Sequence, residues 1–271
     1  MTRSEKIALL TGTTDGMGRL FAPMIAKAGY HVVVQGRNAL RGQEVVDQIL
    51  AEGGSAEFMA CNLSSVADIR RFAETFKAKF TRLDVLVNNA GIGTGPDDAP
   101  RLVSDDGHEF RFAVNYLAGY LLNHLLQDLV VAAAPARIVN VASEGQEPLD
   151  FDNIMHTHDY SGYWAYCRSK VAVIMMTIDM AEALKSKGVT VNAMHPGAYM
   201  NTTMVREMNH PVEDSVEDGA RFVYELAVDP KFNDVSGRYI CMGEDKIAQA
   251  QCYDAAARQR LHDLTVEILG L

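Results

Sequence analysis

The feature that most constrains the fold is a regular alternation of short apolar runs with longer segments of helical periodicity. Short runs rich in Val, Ile, Leu and aromatic residues, separated by helix-length segments, are typical of parallel strands joined by crossover helices. We predict strands at 6–11, 31–35, 56–60, 84–88, 137–142, 189–194 and 237–242.

The segments between these runs have the spacing of buried helix faces. One apolar stripe at i, i+3, i+4 and i+7 consists of Val171, Ile174, Met175 and Ile178. No linker, low-complexity tract or repeat interrupts the pattern. We therefore predict one α/β domain over 1–271, a doubly wound, Rossmann-type parallel sheet of about seven strands flanked by helices.

The least regular stretches are 92–107, 144–163 and 198–216, and each follows a predicted strand. Ligands of open α/β sheets bind beyond the carboxyl ends of the strands, so we expect a substrate to contact these loops. Three methionines in the last loop suggest either a core-facing stripe or a pliable apolar cover over a bulky substrate. They are Met200, Met204 and Met208.

Charge and cysteine content exclude several classes of partner and site. The chain has 25 Lys+Arg and 35 Asp+Glu, a formal net charge of −10, which disfavours nucleic acid and acidic lipid surfaces. Its four cysteines form no CxxC pair, which indicates reduced thiols in a cytoplasmic protein. The histidines lack ligand spacing with acidic or thiol partners, so we expect no metal. No apolar run reaches the ~18 residues of a membrane helix, and we expect no membrane anchor.

The stretch “TGTTDGMG” (11–18) connects the first predicted strand to the first predicted helix. Gly12, Gly16 and Gly18 would allow a tight turn and a close approach of backbone N–H groups to a pyrophosphate at the helix N-terminus. A glycine trio alone could be an ordinary turn. Its position between strand and helix favours dinucleotide binding.

The end of the second predicted strand bears on the choice between NAD and NADP. A carboxylate there would bind the ribose 2′-hydroxyl of NAD, but “VVVQGRN” has none and places Arg37 just past the strand. A guanidinium pairs bidentately with a 2′-phosphate. The sequence therefore favours NADP(H), with Arg19 as a second candidate for the same phosphate.

Four stretches in order resemble the short-chain dehydrogenase/reductase family: the glycine loop, “NNAG” (88–91), “VNVASEG” (139–145) and “YCRSK” (166–170). Within it, the chain is most similar to the retinol-dehydrogenase-like branch, because “LDFDNI” (149–154) lengthens the stretch before the tyrosine. The resemblance implies a catalytic tetrad of Asn115, Ser143, Tyr166 and Lys170.

A proton-transfer role suits the Tyr166 and Lys170 pair, which would otherwise be an exposed surface pair. A free phenol has a pKa of about 10 and is a poor acid or base near neutral pH. Lys170 lies one helical turn away on the same face, close enough to change that pKa. A unit charge at about 4 Å contributes ~4 kcal/mol at an effective dielectric of ~20, so we expect the ammonium to lower the pKa of Tyr166. In the family, the serine binds the substrate oxygen, and the asparagine supports a water that links the lysine to solvent.

The resemblance also implies a set of cofactor contacts. Besides Tyr166 and Lys170, it includes Gly12, Thr14, Gly16, Met17, Gly18, Arg37, Asn38, Asn62, Leu63, Asn89, Ala90, Gly91, Pro196, Gly197 and Tyr199. Two positions depart from the family pattern: Asn62 stands where an aspartate is usual, and Asn201 where a threonine is usual, with Thr202 one residue later. We expect altered contacts there.

These features predict an NADP(H)-dependent oxidoreductase acting on a hydrophobic carbonyl or secondary alcohol. Two alternatives stay open: reduction of a C=C bond with the same groups, and a non-catalytic NADP(H) sensor, which would have no need of the tyrosine and lysine together. The helices near 108–131 and 162–186 could pair between subunits of a homo-oligomer or be covered within one chain.

Overall fold

A computed structural model describes residues 5–96, 98–208 and 210–271, so that one position in each of the loops 92–107 and 198–216 lies outside the described residues. The strands are β1 (Lys6–Leu10), β2 (Tyr30–Gly36), β3 (Ser55–Ala60), β4 (Val85–Asn88), β5 (Ala136–Val141), β6 (Val189–His195), β7 (Tyr239–Cys241) and β8 (Glu244–Lys246). The first seven confirm the predicted strands, with ends shifted by at most a few residues.

The strands form one sheet in the order β3-β2-β1-β4-β5-β6-β7-β8. The neighbouring strands from β3 to β7 are parallel, and β8 pairs antiparallel with β7. Strand β8 was not among the predicted strands. Its three residues, Glu-Asp-Lys, are all exposed, so it has no apolar alternation, and its charged side chains protect the sheet edge.

The helices alternate with the strands as predicted. They are α1 (Gly16–Lys27), α2 (Ala39–Ala51), α3 (Val66–Lys79), α4 (Ala118–Ala132), α5 (Gly162–Leu184), α6 (Thr203–Glu207), α7 (Val216–Val228) and α8 (Ala255–Leu269). A π-helical turn, Phe112–Leu117, leads directly into α4. Among the residues described, no helix combines the length and apolarity needed to cross a bilayer.

Two apolar cores lie on opposite faces of the sheet. One is built around β-strand residues such as Leu9 and Leu86 with the apolar faces of α3, α4, α5 and α8. The other joins residues such as Leu10 and Val87 to α1, α2 and α7. Neighbouring residues of one strand thus enter different cores, which explains why the strands read as continuous apolar runs.

The strand order reverses between β1 and β4, and this places the carboxyl ends of the two strands side by side. Leu10 pairs with Val87 in the last register position, and the Thr11 amide donates to the Val87 carbonyl at 3.0 Å. The chain then leaves the sheet in opposite directions. The resulting crevice is the place where doubly wound folds bind ligands.

The C-terminal helix α8 covers part of α4 and α5. The buried hydroxyls of Tyr116 and Thr265 are 2.8 Å apart, and the Tyr120 hydroxyl lies 2.9 Å from His262 Nδ1. On α5, Asp179 accepts from the Arg258 guanidinium at 2.6 Å. Within one chain, α8 therefore already occupies part of the helical surface that we considered for subunit pairing.

We predict that Thr265→Val destabilises the protein. The Thr265 hydroxyl donates to the Leu261 carbonyl at 2.7 Å, so it accepts from Tyr116, whose buried hydroxyl would lose its partner. The expected loss in the free energy of unfolding is about 1–3 kcal/mol, measured by urea denaturation.

Thr75→Val is the matched control for this substitution. Thr75 donates to the carbonyl four residues earlier at 2.9 Å in the same way, but it is exposed. The control should change the unfolding free energy by less than about 0.5 kcal/mol. Equal losses in both variants would contradict the packing of α8 on α4.

Candidate active site

The tyrosine and lysine of “YCRSK” lie on the second and third turns of α5. Ser161 caps this helix by accepting from the Trp164 amide at 3.4 Å. Lys170 is 4% exposed, and its Nζ donates to the Val141 carbonyl at the end of β5 at 2.9 Å. Nζ also lies 5.7 Å from the centre of the Tyr166 ring. The pair is therefore part of the interior and not a surface decoration.

The pKa of Tyr166 moves in the direction opposite to our expectation. Burial of the phenol raises the pKa to about 12, and an interaction with the Ser143 side chain opposes this rise. The prediction of a lowered pKa is wrong for the chain by itself. The Lys170 ammonium bonds to a backbone carbonyl, and the cost of burying a phenolate outweighs its attraction.

The pKa of Lys170 is also shifted. Burial lowers it to about 8 from the ordinary value of 10.5. The ammonium has only a neutral carbonyl as its hydrogen-bond partner, so desolvation is the dominant effect. The lysine therefore changes charge close to neutral pH.

Ser143 follows β5 and is 8% exposed. Its Oγ accepts from the Gly145 amide at 3.1 Å, and its side chain interacts with the Tyr166 phenol. The two hydroxyls are therefore neighbours, although 23 residues separate them in sequence. A substrate oxygen placed between them would accept hydrogen bonds from both.

Asn115 lies in the π-helical turn before α4 and is 7% exposed. Its amide accepts from the Ile92 N–H at 2.8 Å and donates to Ser169 Oγ at 3.0 Å. A Cβ built on Gly91 would lie 3.3 Å from Asn115 Oδ1 and 3.5 Å from Lys170 Nζ. The structure thus brings Asn115 next to the lysine. Isolated π turns occur often at functional sites.

The glycine loop closes the crevice at the other end. Gly12 has φ +65°, and a Cβ there would lie 2.7 Å from the Ala90 Cα. A Cβ on Gly18 would lie 2.4 Å from the Gly12 carbonyl oxygen. Only glycine fits these two positions, so no side chain from them stands between the loop and the start of α1. These features fit a dinucleotide pyrophosphate.

The second and third residues of “NNAG” hold this loop in place. The Asn89 side chain donates to the carbonyls of Thr11 at 2.8 Å and Gly12 at 3.1 Å. The Ala90 amide donates to Thr11 Oγ1 at 3.0 Å. Asn89 therefore acts on the cofactor groove through the glycine loop, because its side chain amide is already engaged.

The end of β2 carries the expected guanidinium. Arg37 is exposed, and among the described residues it has no ion pair, so it is available to an anion. The Asn38 side chain caps α2 by accepting from the Arg41 amide at 3.1 Å. A Cβ on Gly36 would lie 2.3 Å from the Thr14 methyl, so Thr14 packs closely against this glycine. By contrast, Arg19 pairs with Glu44 at 2.8 Å, which weakens it as a phosphate ligand.

Asp15 was not among the predicted site residues. It caps α1 by accepting from the Gly16 amide at 2.7 Å, and its other oxygen lies 3.5 Å from Arg41 Nη1. A cofactor phosphate and this carboxylate would compete for the same helix N-terminus. The signal was visible, since an aspartate immediately before the first helical glycine is a typical N-cap.

Two of the predicted cofactor contacts, Asn62 and Leu63, lie just after β3. Asn62 Nδ2 donates to Asp105 at 3.1 Å, and its Oδ1 accepts from the Ser64 amide and hydroxyl. Leu63 is buried in the core shared with α3 and α4. Asn62 replaces the usual aspartate, but Asp105 of the loop 92–107 places a carboxylate next to it.

The segment after β6 covers the crevice. Pro196 and Gly197 follow β6, and Tyr199, at φ +43°, stacks on His210 with ring centres 3.4 Å apart. The Thr202 methyl would lie 3.3 Å from a Cβ on Gly16. Thr202, and not Asn201, therefore contacts the glycine loop. Asn201 accepts from Arg206 at 2.9 Å instead.

The methionines near this segment either pack in the core or lie over the loop 92–107. Met17 is 7% exposed and packs in the core shared with α7, so its side chain faces away from the crevice. Met200 lies in the same core. The side chains of Met204 and Met208 instead lie against Gly93 of the loop 92–107. Met200 thus belongs to the core, whereas Met204 and Met208 lie where an apolar cover over a substrate would be.

A buried arginine that the sequence analysis missed joins two of the substrate loops. Arg111 is 6% exposed. Its guanidinium donates to the carbonyls of Gly93, at 2.7 Å, and Thr94. It also donates to the Tyr160 hydroxyl, just before α5. No spacing rule identifies such a residue, because its acceptors are backbone carbonyls distant in sequence.

Comparisons with known proteins agree with this geometry. The short chain dehydrogenase family profile matches residues 6–213. Human polyprenol dehydrogenase is 31% identical over 290 residues, covering 99% of this chain and 86% of that protein. Human retinol dehydrogenase 14 is 31% identical over 299 residues, covering 98% and 87%.

A solved structure supports the same assignment. The Pseudomonas aeruginosa RhlG/NADP active-site complex is similar with a TM-score of 0.71 at 26% identity, covering 88% of this chain and 95% of that one. The profile match, the relatives and the observed sheet point to one family. The chain belongs to the short-chain dehydrogenase/reductase family, in its retinol-dehydrogenase-like branch.

Proposed function

We propose that this protein is an NADP(H)-dependent oxidoreductase that interconverts a hydrophobic carbonyl compound and its secondary alcohol. The observation that carries the proposal is the cluster of Ser143, Tyr166, Lys170 and Asn115 at the carboxyl end of β5, on the same edge of the sheet as the glycine loop. A bound nicotinamide would supply or accept the hydride.

Each side chain of the cluster has a role that its contacts support. Tyr166, with a pKa raised to about 12 by burial, is protonated at neutral pH and would donate its proton to a carbonyl oxygen. Ser143 would donate a hydrogen bond to the same oxygen. Lys170 would stabilise the phenolate that this transfer leaves and then pass a proton to it, and Asn115 would support the reprotonation of the lysine from solvent.

The preference for NADP(H) rests on Arg37. This exposed guanidinium follows β2, where no carboxylate is present, and it suits a 2′-phosphate. The similar RhlG structure is an NADP complex. Gly12, Gly16, Gly18 and Gly91 would accommodate the phosphates and the nicotinamide side, with Pro196 and Gly197 at the end of β6.

A hydrophobic substrate is supported by the residues around the cluster. Tyr163 and Trp164 are about half exposed at the start of α5, and Met204 and Met208 lie over the loop 92–107. Two relatives are named for polyprenol and retinol, both long apolar alcohols. We propose that the whole chain acts as one catalytic domain in a reducing compartment such as the cytoplasm, in line with its four free, buried cysteines.

Tyr166→Phe should reduce turnover by about 10²–10⁴-fold while NADPH still binds, because only the proton donor is lost. Turnover is measured by nicotinamide absorbance with a panel of apolar ketones, aldehydes, enones and alcohols, and NADPH binding by fluorescence titration. The products from enones also separate C=O from C=C reduction.

Tyr120→Phe is the control, since it removes a hydroxyl that bonds His262 on α8. It should retain wild-type turnover. Turnover by Tyr166→Phe at the wild-type rate would exclude the proton assignment. A wild-type protein that binds NADPH but converts no compound of the panel would favour the sensor.

Arg37→Ala should weaken NADPH binding by about 10-fold or more and leave NADH binding nearly unchanged, because a charge-assisted bidentate pair contributes ~1.5–3 kcal/mol. Dissociation constants from fluorescence titration measure the effect. Arg260→Ala, an exposed arginine on α8 that pairs with Asp152, is the control. Equal losses for NADPH and NADH would refute the preference for NADP(H).

Lys170→Met should stabilise the protein at pH 7. The folded pKa of Lys170, about 8, lies below its ordinary value of 10.5, so the unfolded chain binds more protons between these values. Wild-type stability therefore rises with pH across this window, by up to about 3 kcal/mol. The advantage of the variant should shrink from pH 8 to 10.5.

Urea denaturation at pH 7, 8, 9 and 10 measures this difference. Lys187→Met, at an exposed position, should show no such trend. An advantage of Lys170→Met that stays constant with pH would show that the burial of its charge does not limit stability.

A further inference from the structure

The peptide carbonyl of Ser143 lies just beyond the regular pairing of β5. The last register pair is Val141 with Met194, followed by the Ala142 amide, which donates to the Met194 carbonyl at 2.7 Å. From Ser143 onward, the sheet no longer dictates where the chain runs. The position of its hydroxyl therefore depends on contacts outside β5 and β6.

Two side chains bind the Ser143 carbonyl. The Tyr239 hydroxyl on β7 donates to it at 3.0 Å, and Gln146 Nε2 donates to it at 2.8 Å. A carbonyl oxygen has two lone pairs, so these donors saturate it. Together with the Gly145 amide on Ser143 Oγ, they define the turn from Ser143 to Gln146, which we call the serine turn.

Tyr239 is suited to be a fixed donor. It is 5% exposed and lies in the core shared with α5, and its backbone pairs with Ala193 of β6 and Lys246 of β8. Burial raises the pKa of its hydroxyl further above the ordinary value. The phenol therefore stays protonated throughout the working pH range.

Gln146 extends the same support to the C-terminal part of the chain. Its Oε1 accepts from the Gln249 amide at 2.7 Å. The Gln251 side chain binds Leu149 twice, accepting from its amide at 2.6 Å and donating to its carbonyl at 3.2 Å. The loop that begins at the serine is thus attached to residues about a hundred positions later.

We propose that Tyr239 and Gln146 are positioning residues that hold the Ser143 carbonyl and thereby place the Ser143 hydroxyl beside the Tyr166 phenol. Neither residue touches the reacting atoms in this arrangement. Both act through the serine turn. The catalytic part of this inference rests on the proposed function, and the geometric part does not.

The reason for such support is the short range of the hydrogen bond that Ser143 must make. A hydroxyl that stabilises charge on a substrate oxygen has to lie within a few tenths of an ångström of its best position, and a displacement of about 1 Å can cost ~10²-fold in rate. One flexible turn would not ensure this. The two side-chain donors on the Ser143 carbonyl prevent its peptide group from rotating.

Tyr239→Phe tests the proposal, because it deletes one hydroxyl and keeps the buried ring. We expect kcat for ketone reduction to fall by about tenfold, with the dissociation constant of NADPH unchanged within twofold. With NADPH deuterated at the transferred position, the isotope effect on kcat should rise as the chemical step becomes slower.

The matched control is Tyr116→Phe. It also deletes a buried hydroxyl with one hydrogen-bond partner, Thr265 on α8, and has no contact with the serine turn. Its kcat should stay at the wild-type value while its thermal stability falls by a comparable amount. Should Tyr239→Phe fail to fold, Gln146→Met, at a partly exposed position, carries the same expectations.

Amide hydrogen exchange gives a readout that needs no activity. Within the described part of the chain, the Gly145 amide donates only to Ser143 Oγ of the serine turn, so its protection should fall by about tenfold in Tyr239→Phe and stay unchanged in Tyr116→Phe. Unchanged protection of Gly145 overturns the proposal, as does lost protection with an unchanged kcat. A wild-type protein without any turnover refutes the proposed function alone, and the exchange result then decides on the positioning.

Discussion

A buried ammonium group, Lys170 Nζ on the Val141 carbonyl, ties α5 to the end of β5. Ser143 lies two residues beyond that carbonyl, and Tyr166 lies one turn before the lysine. This hydrogen bond of 2.9 Å connects the two elements that carry the cluster, and a second one, from Asn140 of β5 to Thr177 of α5, joins them further along the helix. The charge is buried at a cost, which is visible in the lowered pKa of Lys170, about 8. A site that retains such a charge gives up stability for chemistry.

Side chains around the cluster fix the backbone segments that surround it. Asn89 fixes the glycine loop, Arg111 joins the loop 92–107 to the start of α5, and Tyr239 holds the serine turn. These three side chains bond to backbone carbonyls from distant parts of the chain. Preorganisation here is achieved by restraining the main chain around the reacting groups, as expected where small displacements change rates.

Much of the architecture and of the site was predictable from the pattern of residues. The seven parallel strands follow from short apolar runs, because strands buried on both faces need no polar alternation. The tetrad follows from ordered motifs, and the structure brings Asn115, Ser143, Tyr166 and Lys170 together. The strand β8 was not predictable, because its three charged residues have no periodicity. That Thr202 and not Asn201 lies against the glycine loop was also not predictable, since the turn after Gly197 determines which side chain faces that loop.

The sequence by itself determined the order of strands and helices along the chain and the glycine loop, and it identified the four side chains that we propose as the reacting groups, because these depend on local composition and spacing. Only the tertiary structure decided the protonation properties of those groups. The pKa of Tyr166 is raised and not lowered, since burial and the partner of Lys170 depend on β5 and α5 lying side by side. It also decided that Tyr239, 96 residues from Ser143, meets its carbonyl. Long-range contacts of this kind leave no periodic trace in a single sequence.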